Sequence, residues 1–306
     1  MSRSVEEVAR KIATMEIRGA AKIAQSAAEA LRDFALSYRG SSAREFLSEL
    51  QRAGEVLKSA RPTAVSLPNA VNYVLLAAGS GSEVEEIRSA VVEAAEKFIA
   101  RSKRALERIG EIGARRIKSG DVVLTHCNSQ AALSVITTAF RQGKEVRVIA
   151  TESRPRYQGY LTARQLAERG IPVTLIVDSA VRTFMKEVDK VVVGADSIAA
   201  NGAVINKIGT SQIALAAHEA RVVFMVAAET YKFHPGTVIG ALVEIEERPA
   251  EEVVSPEEFP GVEIRNPAFD VTPPEYIDLI ITERGVIPPQ AAIMVLREEF
   301  GLSLEE

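Results

Sequence analysis

Tryptophan is absent from this chain of 306 residues, cysteine occurs once and histidine three times. A single thiol excludes an intrachain disulfide framework and a zinc site built from several thiolates. His126, His218 and His234 lie too far apart in sequence to form a metal motif, so no metal is expected. Aromatic residues make up only 5% of the chain, which leaves the core to be packed from Ala, Val, Ile and Leu. No apolar run approaches the ~18 residues of a membrane-spanning helix, and no membrane association is expected. The opening stretch MSRSVEEVARKIATMEI is charged throughout and lacks the uninterrupted apolar centre of a secretory signal, so a cytoplasmic location is expected. With 37 basic and 41 acidic residues and a net charge of −4, nothing implies a basic face for nucleic acid.

What is present is ordinary for a folded protein: 47% hydrophobic and 25% charged residues, without low-complexity segments. The length suits two domains. Residues 1–118 carry the pattern of a helical N-terminal domain. Val5 to Tyr38 is rich in Ala, Glu, Lys and Leu, with a candidate break at Arg18-Gly19-Ala20. Ser41 or Ser42 caps a helix to about Ala60, where Arg61-Pro62-Thr63 interrupts it, because the residue before proline is pushed out of the α region. A short helix over Asn69–Ala78 follows. A long one then runs to about Gly113, with Ser82 as cap and Glu85 as the reciprocal acid.

From 119 to 306 the period changes. Short aliphatic runs at Val122–Leu124, Val146–Ile149, Val173–Val177, Val191–Val193, Val222–Val226 and Leu279–Ile281 predict strands. Helical patterns at Gln130–Gly143, Leu161–Gly170, Val181–Val188 and Thr210–Glu219 separate most of them. Buried-looking strands alternating with helices predict an α/β domain on a mostly parallel sheet. Ligands of such sheets bind beyond the carboxyl ends of the strands. The residues found there are Thr125-His126-Cys127-Asn128-Ser129-Gln130, Glu152-Ser153-Arg154, Asp178-Ser179, Gly194-Ala195-Asp196-Ser197 and Glu229-Thr230-Tyr231-Lys232.

Cys127 precedes a predicted helix whose first N–H groups would favour a thiolate, or hold phosphate at Ser129-Gln130-Ala131. The alternative is a buried cysteine acting as a small hydrophobe. Asp196 ends an aliphatic strand, where it is either paired, used in chemistry, or the N-cap of a helix. Arg18, Arg61, Lys207 and Lys232 are candidate phosphate cations; each taken singly also fits a surface role. A Cys127–His126 hydrolase dyad is disfavoured, since neighbours on a strand face opposite ways. No G-x-G-x-x-G follows a strand, so a nicotinamide cofactor is not expected. The residues alone support an α/β enzyme for an anionic metabolite.

Eight ordered stretches sharpen this. Ile17-Arg18-Gly19-Ala20, Arg61-Pro62-Thr63-Ala64, Thr125-His126-Cys127, Glu152-Ser153-Arg154-Pro155 and Gly194-Ala195-Asp196-Ser197 are followed by Asn201 to Thr210, Ala228 to Phe233 and Asn266 to Pro273. On these the chain resembles the archaeal ribose-1,5-bisphosphate isomerases, in the superfamily that includes methylthioribose-1-phosphate isomerases and the regulatory subunits of translation initiation factor 2B. The resemblance implies a helical domain followed by a Rossmann-like domain that assembles dimers or a hexamer (a trimer of dimers). It implies isomerisation of ribose 1,5-bisphosphate to the ribulose compound in AMP and nucleoside degradation, without a cofactor. It also implies that Cys127 and Asp196 are catalytic. Arg18, Gly19, Ala20, Ala21, Arg61, Ser129, Gln130, Ala131, Asn206, Lys207 and Lys232 would bind substrate. Gln130 departs from the lysine common at its position. The alternatives are a methylthioribose-1-phosphate isomerase and a non-catalytic regulatory subunit, the latter disfavoured by the presence of both Cys127 and Asp196.

Overall fold

The computed structural model describes residues 3–17, 19–79, 81–240 and 242–300. Arg18, one of the expected phosphate ligands, lies outside the described residues. The chain divides into two compact units, Met1–Arg104 and Ala105–Glu306.

The first unit is helical: α1 (Arg3–Ala13), α2 (Ala20–Ser37), α3 (Ala43–Ser59), α4 (Ser66–Ala78) and the first two-thirds of α5 (Val84–Ala114). The anticipated break falls at Gly19, whose φ of 90° precedes α2 and is a conformation open to glycine. Ser42 caps α3 by accepting the Glu45 N–H at 3.3 Å. Ala24, Ala27, Ala28, Leu31 and Ala35 on α2 are buried at helical spacing, and this small-residue face lets α2 pack on α1, α3 and α4. The cap of α5 differs from expectation by one residue. Glu86, not Glu85, reaches back to the N–H groups of Ser82 and Glu83, because the helix begins at Val84 and residue 86 then holds the third position. Glu85 instead pairs with Arg88 at 2.7 Å.

The second unit comprises the end of α5, β1 (Val122–Thr125), α6 (Gln130–Arg141), β2 (Arg147–Thr151), α7 (Gln158–Ala167), β3 (Val173–Ile176), α8 (Val181–Phe184), β4 (Lys190–Val193), β5 (Ser197–Ile198), β6 (Val204–Lys207), α9 (Thr210–Ala220), β7 (Val223–Ala227), β8 (Phe269–Thr272), β9 (Leu279–Thr282), β10 (Gly285–Ile287) and α10 (Ala292–Phe300). The expected division at 118/119 therefore moves back into α5. The reason is packing: Ile109 and Ala114 are buried in one cluster with Val123, Val135 and Val192 of the sheet unit.

The large sheet has the order β10-β9-β7-β4-β1-β2-β3, parallel except for the β9–β10 hairpin. Alternate residues feed opposite faces. Val123, Val148, Val192 and Met225 meet α6 and the end of α5, whereas Leu124, Val191, Val193 and Phe224 meet α9 and α10. Burial on both faces explains why the strands show continuous aliphatic runs. Chain order reverses between β1 and β4, the switch point where a doubly wound sheet opens a crevice at its carboxyl edge. A second, antiparallel sheet, β5-β6-β8, carries no clear sequence signal because Ser197–Ile198 is two residues long and Val204–Lys207 and Phe269–Thr272 mix apolar with polar residues instead of forming an aliphatic run. Its β5–β6 turn does fall at Asn201-Gly202, with Asn201 Oδ1 accepting the Ala203 N–H at 3.0 Å.

Candidate active site

β1 ends at Thr125, and two residues later Cys127 takes a left-handed backbone conformation, φ 63°. Such a conformation is costly for a residue with a Cβ and persists only where neighbours hold it. Here both sides of the residue are held. The Cys127 N–H donates to Ser153 Oγ at 2.7 Å, and the Thr162 hydroxyl donates to the Cys127 carbonyl at 2.7 Å. Ser153 is itself left-handed at φ 60°, and its N–H donates to Asp178 Oδ1 at 2.8 Å while the Arg154 N–H takes Oδ2 at 2.7 Å. The ends of β1, β2 and β3 are thereby laced together around the thiol.

The first turn of α6 starts beside it. Ser129 caps that helix by accepting the Ala132 N–H at 3.3 Å. Among the described residues no acceptor meets the N–H of Gln130 or Ala131, so two amides at the positive end of the helix remain available to an anion. The side chain of Gln130 turns to Asn128 Oδ1 at 3.3 Å.

Asp196 follows β4 across the switch point. It is not a helix cap: β5 begins at the next residue, and the Asp196 N–H donates to the Ile205 carbonyl at 2.9 Å. The carboxylate is half-buried and acts on the nearby thiol. Burial pushes the Cys127 thiol up to about 11. Lys207 and the Asn128 N–H pull it down, and Asp196 and Asp178 push it further up. Although the residue keeps some exposure, desolvation outweighs Lys207 and the Asn128 N–H, which favours the protonated thiol at neutral pH.

Asn206 and Lys207 close β6. Asn206 Nδ2 donates to Thr210 Oγ1 at 3.0 Å; Lys207 Nζ donates to the Ala268 carbonyl at 2.9 Å and lies 5.0 Å above the Phe269 ring. Asp270, adjacent to Asn206 across β6–β8, accepts the N–H groups of Gly209 and Ser211 at 2.8 and 3.1 Å. That carboxylate therefore occupies the α9 terminus. Lys232 is buried after β7 in an ion pair with Glu229 at 2.8 Å, and Glu229 also accepts the Tyr231 hydroxyl at 3.1 Å. Lys232 is thus already neutralised within the protein. Gly19, Ala20 and Ala21 lie at the start of α2, and Arg61 in the turn between α3 and α4, all in the first unit. Among the described residues no group of three or more His, Cys, Asp or Glu side chains is arranged to hold a metal ion.

His126 does not activate Cys127, for a reason unlike the one expected. The strand has already ended, and both ring nitrogens are engaged elsewhere, with Thr151 Oγ1 at 2.5 Å and the Ile208 carbonyl at 2.8 Å. Thr151 and Thr162 carried no sequence signal of their own, being common polar residues identified only by what they touch, and Asp270 lay within the Asn266 to Pro273 stretch without an assigned role.

The model of the Initiation factor 2 subunit family matches residues 16–289. The chain belongs to that family. Within it, the chain is 62% identical to a ribose 1,5-bisphosphate isomerase of Archaeoglobus fulgidus, covering 97% of this chain and 94% of the relative. It is 57% identical to another from Thermococcus kodakarensis, covering 99% and 97%. Identity to a methylthioribose-1-phosphate isomerase of Acetivibrio thermocellus is 42%, covering 92% and 88%. Among solved structures, one titled translation initiation factor eIF-2B, subunit delta, from A. fulgidus superposes with a TM-score of 0.76 at 39% identity, covering 97% of this chain and 92% of that one. The family fold thus carries isomerase and initiation-factor names alike, and the strand-end residues must separate them.

Proposed function

We propose that this protein is an aldose–ketose isomerase that converts ribose 1,5-bisphosphate to ribulose 1,5-bisphosphate. The near-full-length identity of 57–62% to relatives named for that substrate carries the reading. The lower identity to the methylthioribose-1-phosphate isomerase makes that substrate the second choice.

The chemistry needs no redox step. Cys127, held as a thiol, donates a proton towards the ring oxygen so that the sugar opens. The Cys127 thiolate so formed takes the C2 proton and regains its thiol, an enediol-type phosphoenolate forms, and the proton of the C2 hydroxyl is delivered to C1 to give the ketose. Asp196 relays the proton between the C2 hydroxyl and carbon. A protonated thiol supports the acid role, since a thiolate has no proton to give. Free amides at Gln130 and Ala131, beside Ser129, suit one phosphate, and Asn206, Lys207 and Lys232 of the same unit complete the proposed substrate set there. Assembly through the second unit into dimers or a trimer of dimers, a cytoplasmic setting and a place in nucleotide degradation belong to the same reading.

The test is an assay of purified enzyme on ribose 1,5-bisphosphate and methylthioribose 1-phosphate, with Cys127→Ser and Asp196→Asn alongside. The expected result is ketose from the bisphosphate only, and loss of about 1,000-fold or more in kcat for both variants with an unchanged circular dichroism spectrum. Turnover of the methylthio compound alone reverses the substrate; full activity in either variant removes that residue from the chemistry.

A further inference from the structure

His126 is 1% exposed, and the proposed chemistry makes no use of it. Its imidazole joins two parts of the site that lie 82 positions apart in the chain, the end of β1 and the turn between β6 and α9. One ring nitrogen, Nε2, lies 2.8 Å from the Ile208 carbonyl. The other, Nδ1, lies 2.5 Å from Thr151 Oγ1 and 3.3 Å from Ser153 Oγ, which are themselves 3.3 Å apart. Ser153 Oγ in turn accepts the Cys127 N–H. Contact with the β6–α9 turn is close: a Cβ added to Gly209, whose φ is 102°, would stand 3.2 Å from the imidazole Cε1 and Nε2.

The direction of this chain follows from its two ends. The Ile208 carbonyl can only accept, so Nε2 carries the proton; the Cys127 N–H can only donate, so Ser153 Oγ receives it. In a neutral imidazole Nδ1 must then accept, which makes Thr151 the donor to Nδ1 and leaves Thr151 Oγ1 free to accept from Ser153. Every group in the chain is satisfied in this arrangement, and the 2.5 Å contact of Thr151 with Nδ1, against 3.3 Å for Ser153, favours Thr151 as the donor to the ring. Protonating Nδ1 would turn Thr151 round to donate to Ser153, whose own hydroxyl proton would then have no acceptor among the described partners, in a side chain with no surface exposure. Burial also drives the imidazole pKa down, opposed by the Ile208 carbonyl and by Asp178, 4.0 Å from Nδ1, and assisted by Lys207. Both arguments give a neutral ring.

We propose that His126, as a neutral Nε2–H imidazole, is a positioning residue that sets the strained Cys127 backbone through Thr151 and Ser153 while anchoring the Lys207-Ile208-Gly209 turn opposite it. The proposal rests on the reading of Cys127 as the proton donor. Its task is to hold the thiol in its desolvated place and Lys207 at its distance. A displacement of about 1 Å at a reacting group costs on the order of 100-fold in rate, so a residue without substrate contact can govern kcat.

Two variants test it. Thr151→Val keeps shape and cuts the chain between the ring and Ser153, whereas Thr151→Ser keeps the hydroxyl. His126→Gln offers an amide N–H to Ile208 and no acceptor in place of Nδ1. Because Cys127 is the sole cysteine, the rate of iodoacetamide alkylation against pH reports its thiol alone. We expect Thr151→Val and His126→Gln to lower kcat by roughly 10-fold or more with KM changed by no more than about 3-fold, and Thr151→Ser to recover most of the loss. Alkylation in the two damaging variants should quicken at pH 8, as the thiol loses its desolvated position. A kcat that holds in Thr151→Val while its melting temperature falls would reduce the chain to a fold-stabilising role, and so would a lowered kcat with an unmoved alkylation profile. If His126→Gln fails to fold, Thr151→Val decides. Retained turnover in Cys127→Ser would sink the proton-donor reading, yet the alkylation profiles would still decide whether the chain holds the thiol.

Discussion

A side chain at Gly194 would stand in the place of the Ser129 hydroxyl: an added Cβ would overlap that oxygen and lie 2.6 Å from Ser129 Cβ. The end of β4, which leads to Asp196, and the N-cap of α6, which follows Cys127, meet at this point with no space for a methyl group. The contact joins the segment that leads to Asp196 to the helix that follows Cys127.

Gly194→Ala should therefore push β4 and α6 apart. Overpacking of this kind costs about 1–3 kcal/mol, read as a lower midpoint in chemical denaturation. Activity should fall further than stability alone explains, measured as kcat at a temperature where the variant is fully folded. A variant with normal kcat and a lowered midpoint would detach the contact from the chemistry.

Asp270 gives a pH dependence of stability with a defined sign. Burial pushes its carboxyl up to about 6, against the Ser211 and Gly209 N–H groups and Lys207, which favour the charged form. The native state thus binds more protons than the unfolded chain between the unfolded pKa near 4 and the folded one near 6, so stability falls as pH rises through that window. The contribution is roughly 2–3 kcal/mol, and one carboxylate oxygen buried without a partner is its structural counterpart. Asp270→Asn keeps an acceptor for the α9 amides and removes the buried charge. Melting temperatures from pH 4 to 8 should show a smaller decline in this variant; an identical decline would place the titrating group elsewhere.

The Lys232–Glu229 pair separates binding from folding. Removing one partner of a buried pair costs about 3–5 kcal/mol because the other charge is stranded. Lys232→Met should destabilise by that order, while Lys232→Met with Glu229→Gln should recover much of the loss and still offer an acceptor to Tyr231. If Lys232 meets a substrate phosphate, the double variant keeps a raised KM despite its restored melting temperature. A normal KM in the stable double variant would confine Lys232 to the fold.

Much of this architecture was legible in the residues. Continuous aliphatic runs such as Val191–Val193 announce strands buried on both faces, since one side chain in two must satisfy each layer. Gly19 and Ser42 mark helix starts through local backbone chemistry. Cys127 and Asp196 could be nominated because strand ends are recognisable and because ordered motifs resemble known isomerases. The short antiparallel sheet was not legible, because β5 has two residues and β6 and β8 interrupt their apolar residues with Asn206, Lys207, Asp270 and Thr272. The placement of the unit boundary inside α5 was equally hidden, as it depends on which core receives Ile109 and Ala114.

The protonation of the thiol belongs to the tertiary structure alone. Its neighbours in sequence argue for an anion, since the cap of a helix, Ser129, lies two residues beyond it. Folding buries the sulfur and brings Asp196 and Asp178 to bear on it, and the loss of hydration outweighs Lys207 and the Asn128 N–H together. The direction of the hydrogen bonds through His126 is likewise set by groups from three separate segments. Sequence determines which groups are available and where the chain can turn; the pKa of a group and the polarity of a hydrogen-bond chain depend on what surrounds it in space, and only the folded chain assembles those surroundings.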